Sequence, residues 1–271
     1  MTKISRITTQ KKRHDRFNIF LSDGQGERYG FSVDESVLVD YRLHKDMELD
    51  EATITALIQK DTLQKGYSLA INYLSFRMRT KKEIRDYLQT KEVDEEHIAK
   101  IMEKLAAQGL TDDKQFADAF VRTRINTAAK GPMLVKQELL EKGVDAALAA
   151  DAVEQFTYDV QFEKALKLAV KKLNTGGKNK SFRQQLQQLQ GTLMQKGFTG
   201  DAVQAVIKEL QEEKDDNAEW EALVKQGEKL LRKYQQKTSG YNLRQKLKEA
   251  LYRKGFTLDA INAFLDHELD N

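Results

Sequence analysis

Near copies of one short phrase punctuate this chain, and they restrict it to an array of similar units. Lys142-Gly143-Val144-Asp145, Lys196-Gly197-Phe198-Thr199 and Lys254-Gly255-Phe256-Thr257 are three of them, and Lys91-Glu92-Val93-Asp94 is a weaker fourth. Their apolar markers at 93, 144, 198 and 256 lie 51, 54 and 58 residues apart. Five, eight, nine and twelve residues after Val93 stand Ile98, Ile101, Met102 and Leu105. The same offsets from Val144 give Ala149, Ala152, Val153 and Phe156; from Phe198 they give Val203, Val206, Ile207 and Leu210. From Phe256 they give Ile261, Phe264 and Leu265, with Glu268 breaking the series. One apolar helix face is thus written four times. Asp94, Asp145, Thr199 and Thr257 follow the markers and are expected to cap those helices by accepting an orphan N–H. Leu88, Leu139, Leu193 and Leu251 each lie five residues upstream and close a preceding helix, which glycine ends in three cases.

The expected fold is therefore mainly α: tandem three-helix repeats forming a curved, elongated solenoid, in which each unit is buried against its neighbours. Before the repeats, 4–9, 17–21 and 29–33 read as strands around a turn at Ser22–Gly26, a small antiparallel β element. Asp34–Leu43 and Asp50–Lys60 read as two short helices. The boundaries this implies are 1–65 for the N-terminal element and 66–110, 111–157, 158–211 and 212–271 for repeats one to four. Within them the helices are expected over 67–79, 81–89 and 95–108; 113–126, 133–141 and 146–156; 159–173, 182–195 and 200–211; and 218–237, 243–253 and 258–269. Asn174–Asn179 and Glu212–Asn217 read as connectors. Pro132, the single proline, stands at a helix start where a missing N–H costs little. Tyr67, Tyr73, Phe76, Phe116 and Phe120 fall at helical spacings and are expected in the core.

Composition narrows the function mainly by exclusion. The chain has no cysteine, which removes disulfides, thiolate catalysis and cysteine-ligated zinc. His14, His44, His97 and His267 have no metal-ligand spacing. Gly176-Gly177-Lys178 lacks the earlier glycine, the following Ser/Thr and the preceding strand of a phosphate loop. Asp112-Asp113 is accounted for by helix capping. We expect no enzyme activity, no cofactor and no metal. The absence of a membrane-length apolar run and of a signal core makes the cytoplasm the expected location.

Charge is segregated along the chain. From Tyr158 to Gly200 eight Lys/Arg stand against Asp159 and Glu163, and from Lys225 to Lys254 ten stand against Glu228 and Glu249. Arg77, Arg79, Lys81, Lys82 and Arg85 cluster in the first repeat. Such a distribution points to a polyanionic partner or an acidic protein groove, although a solvated face explains any one such helix equally well.

Leu74-Ser75-Phe76-Arg77-Met78-Arg79-Thr80-Lys81-Lys82-Glu83-Ile84 resembles the hallmark of the RecX family, regulators of the RecA recombinase. So do Gly109–Ala117 and Lys130-Gly131-Pro132 leading to Glu138–Val144. Thr9–Lys12 followed by Arg16–Phe20 resembles the longer members from low-GC Gram-positive bacteria. Glu92 and Asp46 depart from the family pattern, standing where glycine is usual. The resemblance implies a non-enzymatic modulator that lodges in the helical groove of the RecA–DNA filament and restrains its extension, ATP hydrolysis and strand exchange in recombination and repair. It also implies that single- or double-stranded DNA can be a direct partner. A monomer is expected, with no membrane partner. On this reading Arg77, Arg79, Lys82 and Arg85, with Lys171, Lys172, Lys180, Arg183, Arg232, Lys233 and Arg244, supply attraction to the filament. The alternatives are a DNA-binding helix-turn-helix transcription regulator and an adaptor solenoid without nucleic-acid contact.

Overall fold

The computed structural model describes residues 2–11, 13–176, 179–212 and 215–269. It opens with strands β1 (Thr2–Thr9), β2 (Arg16–Ser22) and β3 (Glu27–Asp34), then helix α1 (Glu35–Asp40), strand β4 (Glu48–Leu49) and helix α2 (Glu51–Ser75). The rest is helical: α3 (Lys81–Thr90), α4 (Glu95–Ala107), α5 (Asp113–Thr127), α6 (Pro132–Glu141), α7 (Ala146–Val153), α8 (Tyr158–Thr175) and α9 (Phe182–Gln195). There follow α10 (Gly200–Glu212), α11 (Asp216–Tyr234), α12 (Gly240–Arg253) and α13 (Leu258–Leu269). Two compact units form, one of Met1–Phe116 with Lys142–Asp145, the other of Ala117–Glu141 with Ala146–Asn271. Of the positions read above, Lys12, Gly177 and Lys178, with Glu213 and Lys214 of the acidic connector, lie outside the described residues.

The N-terminal sheet is antiparallel throughout, in the order β3-β2-β1-β4. A sheet this small needs a covering layer. Ile4, Ile19, Leu21, Phe31 and Val33 pack with Val37 of α1 and Leu57 of α2. Polar groups fix the same junction. Buried Arg16 donates to both carboxylate oxygens of buried Asp61 at 3.1 and 2.8 Å and to Ser32 Oγ at 3.0 Å. Asp61 also accepts from Asp34 N–H at 2.8 Å and meets Lys65 Nζ at 2.9 Å. A buried ion pair of this kind is tolerable only because the carboxylate is fully hydrogen-bonded.

The expected fourfold pattern is present in the core. Leu88, Leu139, Leu193 and Leu251 are fully buried, as are Ile98, Ile101, Leu105, Ala149, Val206, Ile261 and Leu265. Three expectations need correction. First, the two helices expected over 50–60 and 67–79 are one continuous helix, α2, which passes through residues 65 and 66 and stops at Ser75. Gly66 is a packing residue there, because a Cβ would lie 2.7 Å from Ile101 Cδ1. Second, Phe76 is not core. The apolar period ends with α2, and Phe76, at its C-cap, is 83% exposed. Third, Asp94 is the N-cap of α4 but makes no side-chain capping bond, its carboxylate lying 3.4 Å from His97 Nδ1 instead. Thr257 accepts only a long 3.4 Å bond from Ala260 N–H, and the Thr199 hydroxyl donates to Gln161 Oε1 at 2.9 Å.

The repeated Lys-Gly turns have a second role besides ending helices. Thr80, at the start of α3, donates through Oγ1 to the Lys142 carbonyl at 2.7 Å. Gly131 N–H, just before α6, donates to the Lys196 carbonyl at 2.7 Å, and Met133 N–H to the Gly197 carbonyl at 3.0 Å. Ser181 Oγ, at the start of α9, donates to the Lys254 carbonyl. These three middle helices, α3, α6 and α9, therefore begin against the turn that ends the middle helix of the following repeat. Close approach demands glycine in that turn. Gly143, Gly197 and Gly255 have φ of 83, 83 and 87°, and a Cβ on Gly197 would meet Leu134 N at 2.5 Å. Glu92 holds the same left-handed conformation, with φ 57°, without glycine.

Two variants test this construction. Leu139→Ala should lose about 2–5 kcal/mol. Gly197→Ala should lose more than the ~1–2 kcal/mol of left-handed strain alone, because the backbone of Leu134 has no room to yield. Denaturant midpoints followed by far-ultraviolet circular dichroism measure both, and unchanged midpoints would refute the repeated joint as a source of stability.

Candidate partner-binding surface

The basic residues singled out from sequence do not form one class. In the first repeat they are tied into the structure. Thr80 and Glu83 form a capping box at the start of α3, with Glu83 N–H donating to Thr80 Oγ1 at 3.1 Å and Thr80 N–H to Glu83 Oε2 at 3.2 Å. Glu83 Oε1 then accepts from Arg77 Nη2 and from Lys142 Nζ, both at 3.0 Å. Burial pushes the Glu83 carboxyl up, but Arg77, Lys142 and the Thr80 N–H together hold it below its ordinary value. Arg79 lies over Tyr73 at 3.9 Å, and Tyr73 stacks on Tyr87 with centroids 4.0 Å apart. Arg85 pairs with Glu95 at 3.2 Å. The alkyl chain of Lys82 covers Gly143. Asp113 Oδ1 accepts from Lys81 N–H at 2.9 Å, closing the N-terminus of α3 from the start of α5.

In the third and fourth repeats the pattern changes. Among the described residues Lys171, Lys172, Lys180, Arg183 and Lys233 have no carboxylate partner. Lys180 donates to the Gln188 amide at 2.7 Å and Lys233 lies 5.9 Å from the Tyr234 ring. All five are exposed. Arg232 sits 3.6 Å from Glu228, an i,i+4 pair worth little at the surface. Arg244 is bound to Asp266. The cations thus sort into a first-repeat set tied to Glu83, Tyr73 and Glu95 and a set with no carboxylate partner among the described residues. Among the described residues no group of three or more His, Asp or Glu is placed to hold a metal ion, and no helix is long and apolar enough to cross a membrane.

Sequence reasoning missed two features. Phe76 and Met78, 48% exposed, place apolar side chains on the surface beside the Arg77–Arg79 segment. Tyr252 was also overlooked. It follows buried Leu251 by one residue, which turns it to the outer face of α12, and that offset from the repeated leucine was the available signal.

Sequence models of RecX domains match in succession along the chain. The Regulatory protein RecX N-terminal domain matches residues 2–50, and the first and second three-helix domains of RecX match 67–105 and 112–153. The third three-helix domain matches twice, at 159–207 and 217–265. The chain belongs to the RecX family. It is 52% identical over 273 residues to Regulatory protein RecX of Oceanobacillus iheyensis, covering 100% of both chains. It is 41% identical over 265 residues to that of Bacillus cytotoxicus, covering 98% of this chain and 97% of the relative. A crystal structure of a regulatory protein RecX aligns with a TM-score of 0.65 at 41% identity, over 76% of this chain and 98% of the other. That of RecX from Lactobacillus salivarius aligns with a TM-score of 0.54 at 38% identity, over 56% and 98%. The double match of the third RecX domain reflects the pattern that repeats three and four share with each other.

The Glu83 hub has a pH signature. Its folded-state pKa lies below the ordinary 4.5, so the stability it contributes is present above that value and is lost as pH falls through the depressed folded pKa. Glu83→Gln should lose about 1–3 kcal/mol at neutral pH and show a flatter decline in stability below pH 4.5. Unfolding free energies of the two proteins measured from neutral to acid pH check this, and parallel curves would contradict it.

Proposed function

We propose that this protein binds the RecA–DNA filament and restrains its extension, ATP turnover and strand exchange, without nucleotide hydrolysis of its own. Full-length similarity to proteins named Regulatory protein RecX carries this reading. The structure supports it with a division of labour among the cations. Arg77 and Lys82 stand at the joint formed by Thr80 and Lys142, while Arg79 and Arg85 are held by Tyr73 and Glu95. Lys171, Lys172, Lys180, Arg183 and Lys233 have no carboxylate partner among the described residues and supply the positive charge a phosphate-rich partner would meet. Binding that neutralises phosphates releases counterions, so affinity falls steeply with salt. Direct contact with DNA is part of this proposal.

Added to RecA on single-stranded DNA, the protein should lower ATP turnover and slow filament extension. Unchanged ATPase and strand exchange at saturating protein would refute the proposal. A combined Lys171→Glu, Lys172→Glu, Arg183→Glu variant should fold with wild-type stability, each exposed change contributing within about 0.5 kcal/mol. It should inhibit RecA more weakly, and its salt dependence of DNA binding should be shallower by roughly 2 in log–log slope. Arg77→Glu differs, because it places a second carboxylate against Glu83 and should lower stability. Wild-type inhibition by the triple variant at every salt concentration would show that the third-repeat cations are a solvated face.

A further inference from the structure

Repeats three and four, both within the second compact unit, enclose a cleft of about 770 Å³ that the charge pattern alone does not explain. Phe182, Leu186, Ile207 and Phe256 are among its apolar lining residues. Gln187, Gln190 and Gln211 supply amide groups around it, and Glu219 stands at one side with a carboxylate oxygen already bonded to Phe182 N–H at 2.6 Å. Tyr252, 53% exposed, forms part of the wall. A second cleft of about 290 Å³ shares Arg183, Gln187 and Tyr252 with the first and adds Arg253 and Lys254. Arg183, Arg253 and Lys254 have no carboxylate partner among the described residues; Arg253 Nε meets only the Glu249 carbonyl at 3.4 Å.

One aromatic side chain, Tyr252, thus lines both an apolar, amide-bearing cleft and a smaller cleft that adds two cations. A nucleotide has the matching layout, with a flat base whose edges carry donors and acceptors and an anionic phosphate a few ångströms away. We propose that this double cleft holds an unpaired nucleotide of single-stranded nucleic acid. The base stacks on Tyr252 against the apolar lining, its edge meets the glutamine amides, and Arg183, Arg253 and Lys254 take the adjoining phosphate. Only a single strand fits, since bases in a duplex are stacked on each other and their faces are unavailable. The site rests on the nucleic-acid part of the proposed function and makes it specific: phosphates attract, and one aromatic ring selects strands with free bases.

The full-length protein and a fluorescent oligothymidylate test it, with anisotropy read at several salt concentrations. Single strands should bind more tightly than a duplex of the same length. Tyr252→Ala should weaken oligothymidylate binding about tenfold, within the range for loss of one base–aromatic stack, while Tyr252→Phe should bind like wild type. Arg183→Glu should make the salt dependence shallower. Equal competition by oligouridylate would extend the site to RNA and support the same chemistry. An oligonucleotide carrying 5-iodouracil, irradiated on the wild-type protein, should cross-link at Tyr252, a readout that does not depend on any variant folding. Wild-type affinity in Tyr252→Ala with an unchanged melting curve, or cross-links confined to other residues, would overturn the site. The ATPase of RecA, assayed with the same wild-type preparation, keeps the two proposals apart. Inhibition without oligonucleotide binding removes this site and leaves the filament reading standing; oligonucleotide binding lost in Tyr252→Ala, without inhibition by wild type, does the reverse.

Discussion

The repeats are held together by a hydrogen bond from the first residues of one middle helix to the last carbonyls of the next. A helix start has N–H groups without partners and a helix end has carbonyls without partners. Here the cap that serves the first also reaches the second. Thr80 and Ser181 use a hydroxyl that accepts within its own helix and donates across to Lys142 or Lys254. Gly131 uses its backbone N–H toward Lys196. Much else follows from this contact. At Gly197 it brings two backbones together, at Gly143 and Gly255 it brings the turn against the Lys82 and Ser181 side chains, and it places Lys142 where it can join Arg77 on Glu83.

The first N–H of each middle helix shows how one requirement is met by different residues. Asp113 accepts from Lys81 N–H, and Glu219 accepts from Phe182 N–H, in each case from near the start of the helix that opens the next repeat. In the second repeat that position is Pro132, which has no N–H to satisfy. Proline and the two carboxylates are therefore alternative answers to the same problem, which is why no fixed motif marks the position.

Much of the helical pattern was legible because it is local. The leucines at 88, 139, 193 and 251 and the faces that follow each marker depend on spacing within one helix, and all those leucines are buried. What failed depended on contacts distant in sequence. Gly66 looks like a break until Ile101 is seen packed against it, a close approach that offsets the roughly 1 kcal/mol glycine costs in a helix. Phe76 has core spacing but lies one residue past the end of α2. The basic residues read as one class in sequence, and only side-chain partners divide Arg77, bound to Glu83, from Lys171 and Arg183, which have no carboxylate partner among the described residues. Thr80 and Lys142 are 62 residues apart, beyond any local pattern.

Ser239 occupies the position of Thr80 and Ser181 at the start of α12, yet it makes no capping hydrogen bond. Lys91 and Glu92 of the first repeat form the corresponding turn, with the same left-handed backbone but no glycine. Donor and acceptor always belong to different repeats, so a series of repeats contains one joint fewer than its units. Such a chain has grammar: each joint is spelled half in one repeat and half in the next, so neither repeat alone carries the whole bond.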